Sequence, residues 1–248
     1  MPVSASAIRA DLAGGWDDLI EPARAGLAAR VVVVGAESTG TTTIARQLAR
    51  HYRERGGAFA NTQCVTEAGR DYTITKWRRA KAAAAAAGLP ELPLDALVWT
   101  TADFDAVAAE QTARENQAAA GRSPLVVCDT DAFATSVWER RYLGALARPP
   151  QPWATTRLPR HDRYLLTSHV GVPWHDDGLR EGDLAIRAAM TDWFATAMTA
   201  AGHSWVLLTG SVEERLALAV RVTDSALAQR ARFGPAITDV PAIGAVPG

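Results

Sequence analysis

Apolar runs alternate with helical patterns along most of the chain. The first run is four consecutive valines at 31–34, followed by a glycine-bounded loop and then by apolar residues at helical spacing from Ile44 onward. Continuous β-branched runs of this kind are typical of strands buried on both faces of a parallel sheet. Further strands are predicted at 59–66, 124–129, 164–167 and 205–209. The pattern predicts an α/β fold in which a doubly wound, five-stranded parallel sheet is flanked by helices.

Helices are predicted between these strands from the apolar spacing and from the glycine and proline residues that end each pattern. We expect them at about 41–55, 68–87, 94–120, 132–146, 183–201 and 211–230. The segment ahead of the first strand predicts a short amphipathic helix that is interrupted at Gly14 and Gly15 and ends near Pro22. The sequence is therefore divided into a helical appendage at 1–29, one α/β domain at 30–231, and a tail at 232–248 that we expect to be disordered.

The loop after the first strand carries the strongest chemical signal. Gly35 and Gly40 bracket four residues, and Thr41 and Thr42 open the next helix. This strand–loop–helix context indicates a phosphate-binding P-loop, in which backbone N–H groups and the helix N-terminus face the phosphates. The Thr42 hydroxyl occupies the position of the motif's magnesium ligand. Thr41 stands where the motif requires lysine, so an ordinary glycine-rich turn is the alternative interpretation.

Carboxylates follow two of the predicted strands. Glu67 comes after the second strand, Asp129 ends the third, and Asp131 lies two residues further on. Ligands bind at the carboxyl ends of strands in open parallel sheets, so an aspartate here can hold magnesium beside the P-loop. The alternatives are an ordinary surface carboxylate for Glu67 and the N-cap of the next helix for Asp131.

Composition narrows the classes of partner. The net charge of −1 gives no electrostatic indication of nucleic acid or of an acidic membrane surface. Cys64 and Cys128 both lie at the ends of apolar runs, which favours buried, reduced thiols over a disulfide. No apolar run reaches the length of a membrane span, and no secretory signal pattern is present. The sequence predicts a cytoplasmic protein with no nucleic-acid or membrane partner, and it leaves the oligomeric state open.

Four motifs that occur in order give a more specific indication. They are VGAESTG at 34–40, TEAGRDY at 66–72, DTDAFAT at 129–135 and PWHDDGLR at 173–180. Together they resemble the ribosylnicotinamide kinase domain of the NadR family, over about residues 16–221. The resemblance implies a P-loop kinase that uses ATP and Mg²⁺ to phosphorylate nicotinamide riboside to nicotinamide mononucleotide in NAD salvage. NadR proteins can also carry DNA-binding and adenylyltransferase domains, for which the residues before 31 are too few, so the kinase alone is expected.

The resemblance also implies roles for individual residues. Thr42 and Asp129 are expected to hold magnesium, while Glu67, with Asp129 as second candidate, accepts or orients the attacking hydroxyl. Arg180 and Arg187 are expected in a lid over the transferring phosphate. The nucleotide is assigned to Gly35, Glu37, Ser38, Thr39, Gly40, Thr41, Thr42 and Thr43. The acceptor side, built in part by the helical insertion after the second strand, is assigned to Glu67, Arg70, Tyr72, Asp131, Trp174 and Asp177, with Trp174 or Tyr72 stacking on the cationic nicotinamide ring.

Two other functions remain open from the sequence. Another small-molecule P-loop kinase, such as a deoxynucleoside kinase, would use the same parts. A non-catalytic nucleotide-binding regulatory module would account for Thr41 in the place of lysine. The sequence also leaves open the preference for ATP over GTP and the cation that replaces the lysine.

Overall fold

The computed structural model describes residues 4–148, 161–174 and 184–234 of the chain. Within these residues the centre is a five-stranded sheet with the order β2-β3-β1-β4-β5, and every neighbouring pair is parallel. The strands are β1 (Ala29–Gly35), β2 (Gln63–Val65), β3 (Leu125–Asp129), β4 (Arg163–Thr167) and β5 (Trp205–Leu208). The predicted α/β fold with a five-stranded parallel sheet is confirmed.

Helices cover both faces of this sheet. They are α1 (Ala5–Ala10), α2 (Glu21–Leu27), α3 (Thr41–Arg55), α4 (Ala68–Ala86), α5 (Thr101–Ala119), α6 (Ala132–Leu143), α7 (Leu184–Ala200) and α8 (Val212–Arg230). In the part of the chain that the structure describes, no helix has the length and apolar character needed to cross a membrane.

Strand β1 contributes side chains to two separate hydrophobic cores, and all seven of its residues are buried. Val31 and Val33 point into the core under α3 and α8, whereas Val32 and Val34 point into the core under α6 and α7. Alternate residues of a strand face opposite sides of a sheet, so a run without polar residues fits only a strand covered on both faces. This arrangement places the loop that follows Gly35 at the centre of the carboxyl edge.

The N-terminal segment differs from its prediction at Pro22. The structure has α1, a short 3₁₀ turn at Trp16–Asp18, and then α2, which starts at Glu21. Pro22 therefore lies in the first turn of a helix instead of ending one, where its missing N–H costs no helical hydrogen bond. Trp16 is almost fully buried, and its indole N–H donates to the Gly121 carbonyl at 3.4 Å, so the segment packs into the main core.

Two further boundaries differ. The second strand was predicted over 59–66, but only β2 is extended, because residues Gly57–Phe59 form a 3₁₀ turn that packs Phe59 against Tyr52 of α3. The helix predicted from about residue 94 begins instead at Thr101, after a 3₁₀ turn at Leu94–Ala96. Thr100 and Asp103 form a capping box that fixes this start. Most of the tail predicted at 232–248 lies outside the described residues.

Candidate active site

The loop between β1 and α3 has the backbone of a phosphate-binding turn. Ser38 and Gly40 both adopt positive φ angles, 52° and 87°, which curl the chain just before the helix. A Cβ at Gly35 would overlap the Thr167 hydroxyl of β4, so only glycine fits there. The Thr39 side chain stabilises the loop, because its hydroxyl donates to the Ala36 carbonyl at 2.7 Å. The loop is thus held in one shape by its own residues and by β4.

A hydroxyl and a carboxylate meet beside this loop. The Thr42 hydroxyl donates to Oδ2 of Asp129 at 2.6 Å. The register that pairs Val33 with Asp129 brings the end of β3 next to the loop, and Asp129 is only 5% exposed. Hydroxyl and carboxylate oxygens are the donors that Mg²⁺ prefers, and it commonly takes its remaining ligands from phosphates and water. The Thr42–Asp129 pair is therefore a candidate site for a magnesium ion. Among the described residues no group of three or more His, Cys, Asp or Glu side chains could hold a metal ion.

Two arginines lie behind the loop, and their position changes one prediction. Arg187 of α7 donates to the carbonyls of Glu37 and Ser38 at 3.0 and 2.7 Å. Arg215 of α8 donates to the carbonyl of Thr39 at 3.1 Å. Arg187 was expected in a lid that reaches the phosphates on closure. It is instead 5% exposed and already bound to backbone carbonyls, because α7 packs directly against the sheet beneath the loop.

An aromatic pocket opens next to the ends of β2 and β3. Its lining includes Glu67, Arg70 and three aromatic rings: Trp99, which lies just before α5, and Trp138 and Tyr142, which lie one turn apart on α6. The ring centroids of Trp99 and Tyr142 are 5.2 Å apart, and those of Trp138 and Tyr142 are 6.4 Å apart. Phe104, Gly69, Thr73, Val107, Thr130 and Thr135 complete the wall. The prediction from sequence missed all three rings. The spacing of Trp138 and Tyr142, four residues apart in a helical pattern, puts them on one helix face, but nothing local places Trp99 beside them.

The sequence favoured Tyr72 or Trp174 for stacking on the acceptor. Tyr72 is outside the pocket lining; its hydroxyl donates to Oδ1 of Asp103 at 2.8 Å, and its ring lies 6.3 Å from that of Trp99. Lys76 also donates to Asp103, at 2.6 Å, and its ammonium group lies 5.4 Å from the centroid of the Trp99 ring. Hydrogen bonds from Lys76, Thr100 and Tyr72 outweigh burial and lower the pKa of Asp103 to about 2. Trp174 is half-buried at the end of a described segment, and Asp177 and Arg180 lie outside the described residues.

Gln111 connects the ends of the two carboxylate-bearing strands. Its side-chain oxygen accepts from the backbone N–H of Ala68 at 3.0 Å, and its amide nitrogen donates to the Thr130 carbonyl at 3.3 Å. Ala68 follows Glu67, and Thr130 follows Asp129, so one buried amide fixes the spacing of both turns. No sequence signal marked this residue.

Asp131 has a structural role, which corrects its assignment to the acceptor side. It caps α6 by accepting from the Ala134 N–H at 2.8 Å, and it accepts from the Tyr164 hydroxyl at 2.6 Å. Thr130 has a φ of 73°, which turns the following side chain into the interior, where Asp131 has no exposed surface. His161 lies 3.2 Å from the same carboxylate and 2.7 Å from Glu115.

This buried cluster predicts a pH-dependent contribution to stability. Burial lowers the pKa of His161, but the hydrogen bond to Glu115 and the charges of Asp131 and Glu115 outweigh burial and the opposing charge of Arg30, so the pKa is raised. A raised folded-state pKa stabilises the fold fully below the unfolded value, about 6.5, and the stabilisation is lost as the pH rises through the folded value.

We therefore expect His161→Gln to lower the free energy of unfolding by about 3 kcal/mol near pH 6, because it removes the positive charge that lies between the buried carboxylates of Asp131 and Glu115. The loss should shrink above the folded-state pKa of His161. Urea unfolding at a series of pH values measures this, with His51→Gln on α3 as the control. If the loss of unfolding free energy is the same at every pH, the interaction of a charged His161 with the two carboxylates is contradicted.

A central P-loop strand in a parallel sheet of this order defines the class of P-loop NTPases. More particularly, the chain belongs to the AAA domain family, whose model matches residues 30–215. No curated protein matches the chain by sequence.

Two NadR structures are among the solved structures that share the fold. They are the NadR protein in complex with NR, at a TM-score of 0.58 and 20% identity, and the NadR protein in complex with NAD and AMP-PNP, at 0.57 and 19%. Each match covers 90% of this chain. The chain spans only 58% and 56% of the length of those two NadR chains.

Proposed function

We propose that this protein transfers the terminal phosphoryl group of ATP to the ribose 5′-hydroxyl of nicotinamide riboside, giving nicotinamide mononucleotide for NAD salvage. The observation that carries the proposal is the junction of two subsites at one sheet edge. The P-loop with its Thr42–Asp129 pair lies on one side, and the aromatic pocket with Glu67 lies on the other. NadR structures of the same fold were solved with NR and with AMP-PNP, which supports this pairing of ligands.

On the nucleotide side, the proposal assigns the phosphates to the P-loop. Thr42 and Asp129 would hold Mg²⁺, which when bound neutralises charge on the phosphates. The remaining contacts are proposed for Gly35, Glu37, Ser38, Thr39, Gly40, Thr41 and Thr43. The catalytic contribution of the protein is then mostly positioning of the two substrates and electrostatic stabilisation.

On the acceptor side, the pocket suits a ring that carries a positive charge. The rings of Trp99, Trp138 and Tyr142 line the pocket and would attract a pyridinium by cation–π interaction, and the Glu67 carboxylate would offset its charge. Glu67 also lies at the end of β2, where it can accept or orient the proton of the attacking hydroxyl. Arg70 is proposed to contact the acceptor from the same wall. Contacts from Trp174, Asp177 and Arg180 stay predictions.

A panel of acceptors tests this proposal. With ATP·Mg²⁺ we expect phosphorylation of nicotinamide riboside to exceed that of adenosine, thymidine and shikimate by a wide margin. Trp99→Ala should raise the KM for nicotinamide riboside by about tenfold, the order of one buried cation–π contact, and leave the KM for ATP unchanged. Trp205→Ala, on the far edge strand β5, is the matched control. A different acceptor at the top of the panel would overturn the assignment.

A non-catalytic nucleotide-binding regulator is the second candidate, and Thr41 in the lysine position is the observation that favours it. Such a protein would bind ATP and transfer phosphate to none of the acceptors.

For either function we propose a cytoplasmic location, since Cys64 and Cys128 are both free thiols.

A further inference from the structure

The loop lacks the cation that its motif requires, and no lysine elsewhere can replace it. Of the 26 basic residues only Lys76 and Lys81 are lysines. Lys76 is bound to Asp103, and Lys81 is paired with Glu91, both within the helical insertion. A phosphate-binding loop next to three or four negative charges needs a positive charge close by. The compensating charge must therefore come from arginine.

Arg187 uses its whole guanidinium group on backbone carbonyls. Besides the bonds to Glu37 and Ser38, its Nη1 donates to the Val172 carbonyl at 2.9 Å. The side chain is thereby clamped between α7 and the back of the loop, and its position does not depend on closure of any segment.

Arg215 makes the equivalent contact one residue further along the loop. Its Nη1 donates to the Thr39 carbonyl at 3.1 Å and its Nε to the Gly210 carbonyl at 2.9 Å. Arg187 and Arg215 are 5% and 3% exposed, and the hydrogen bonds described above for both side chains all go to backbone carbonyls. Two buried cations thus lie behind the loop and are bound to neutral carbonyl groups.

The geometry of the peptide bond fixes what these contacts do. In a trans peptide the C=O and the following N–H point in opposite directions, and the described residues contain no cis peptide. The carbonyls of Glu37, Ser38 and Thr39 point back to the arginines, so the N–H groups of Ser38, Thr39 and Gly40 point to the other side of the loop. Successive N–H groups that converge in this way form an anion-binding concavity.

We propose that Arg187 and Arg215 jointly replace the missing motif lysine, acting as positioning residues that deliver positive charge to the nucleotide triphosphate through the peptides of the loop. The inference rests on the nucleotide-binding part of the proposed function. Each guanidinium polarises the peptide whose carbonyl it holds, which strengthens the N–H donor on the opposite face. A bound triphosphate would place negative charge on the opposite face of the same peptides.

The electrostatics of the pair agree with this role. Burial lowers the pKa of Arg187, and burial together with the nearby charge of Arg187 lowers the pKa of Arg215. Both groups remain charged in this environment, since arginine starts from a very high value. The two positive charges repel each other, and binding of a polyanion at the loop would offset this repulsion.

The first test measures binding without catalysis. We expect Arg187→Gln and Arg215→Gln each to weaken binding of ATP and of inorganic tripolyphosphate by about 10- to 100-fold, the range for groups that support a binding shell. Binding of adenosine, which lacks phosphates, should be unchanged. Adding Thr41→Lys to Arg215→Gln should restore tripolyphosphate affinity to within about threefold of the unmodified protein. Gln47→Lys, which adds the same charge further along α3, should restore nothing.

The outcomes distinguish two roles of the arginines: supplying positive charge to the phosphates, or only holding the shape of the loop. If Thr41→Lys fails to restore binding, the arginines only hold the shape of the loop and the proposal falls. The same substitution alone gives a second test that does not depend on the folding of an arginine variant. It should strengthen tripolyphosphate binding by less than about threefold, since the charge is already present, and a larger gain would overturn the inference.

These measurements are independent of the acceptor. A protein that binds ATP and tripolyphosphate as expected but phosphorylates no nucleoside would refute the proposed kinase function and leave the role of the arginines standing. A protein that binds neither would refute both.

Discussion

Asp129→Asn is expected to lower turnover by about 10²-fold or more, because it removes a charge that contributes several kcal/mol toward holding a metal at the phosphates. The fold should be unaffected. Asparagine has the same shape, and its side-chain oxygen can still accept the 2.6 Å hydrogen bond from the Thr42 hydroxyl. The measurement is kcat at saturating ATP and nicotinamide riboside, together with a thermal unfolding curve.

The dependence on metal concentration makes this test specific. A weakened metal site should require more Mg²⁺ for half-maximal activity, whereas a folding defect would lower activity at every concentration. Asp17→Asn, an exposed substitution in the N-terminal segment, controls for the loss of one negative charge. Wild-type turnover in Asp129→Asn would remove the carboxylate from the proposed mechanism.

The features of the site that could be predicted from the sequence are those formed by residues that are close together in the chain. The P-loop follows directly from one strand, and Glu67 and Asp129 follow from strand ends, because parallel strands bring their carboxyl ends to the same edge. The prediction needed only the topology, which the alternation of apolar runs also supplies. The Thr42–Asp129 contact at 2.6 Å is what this reasoning expects.

The remaining features depend on tertiary structure. Trp138 and Tyr142 are neighbours on α6, but Trp99, which lies just before α5, meets them only when α5 and α6 pack together. Arg215 reaches the loop from 176 residues away, and its helix gave no local sign of that contact. Asp131 shows a third cause, since a single positive φ at Thr130 decides whether its side chain faces the cleft or the core.

Glu67→Gln is expected to reduce turnover by about 10²-fold, the lower range for loss of a general base. The glutamine keeps the size of the side chain and its place in the pocket wall, but it cannot take a proton from the attacking hydroxyl. Because Gln111 holds the backbone at Ala68 independently of the Glu67 side chain, the turn should keep its shape in the variant. The reduction should therefore fall on kcat, with the KM for ATP unchanged.

Single-turnover phosphorylation of nicotinamide riboside measures the effect directly, because product release does not enter the rate. Glu54→Gln on the exposed side of α3 is the control for a lost carboxylate. The result also separates two roles for Glu67. A general base that is lost slows the chemical step at saturating acceptor, whereas a carboxylate that only offsets the charge of the pyridinium raises the KM for nicotinamide riboside and leaves kcat near its normal value. The second outcome would return the proton-accepting role to Asp129, whose carboxylate already accepts the Thr42 hydroxyl and lies at the neighbouring strand end.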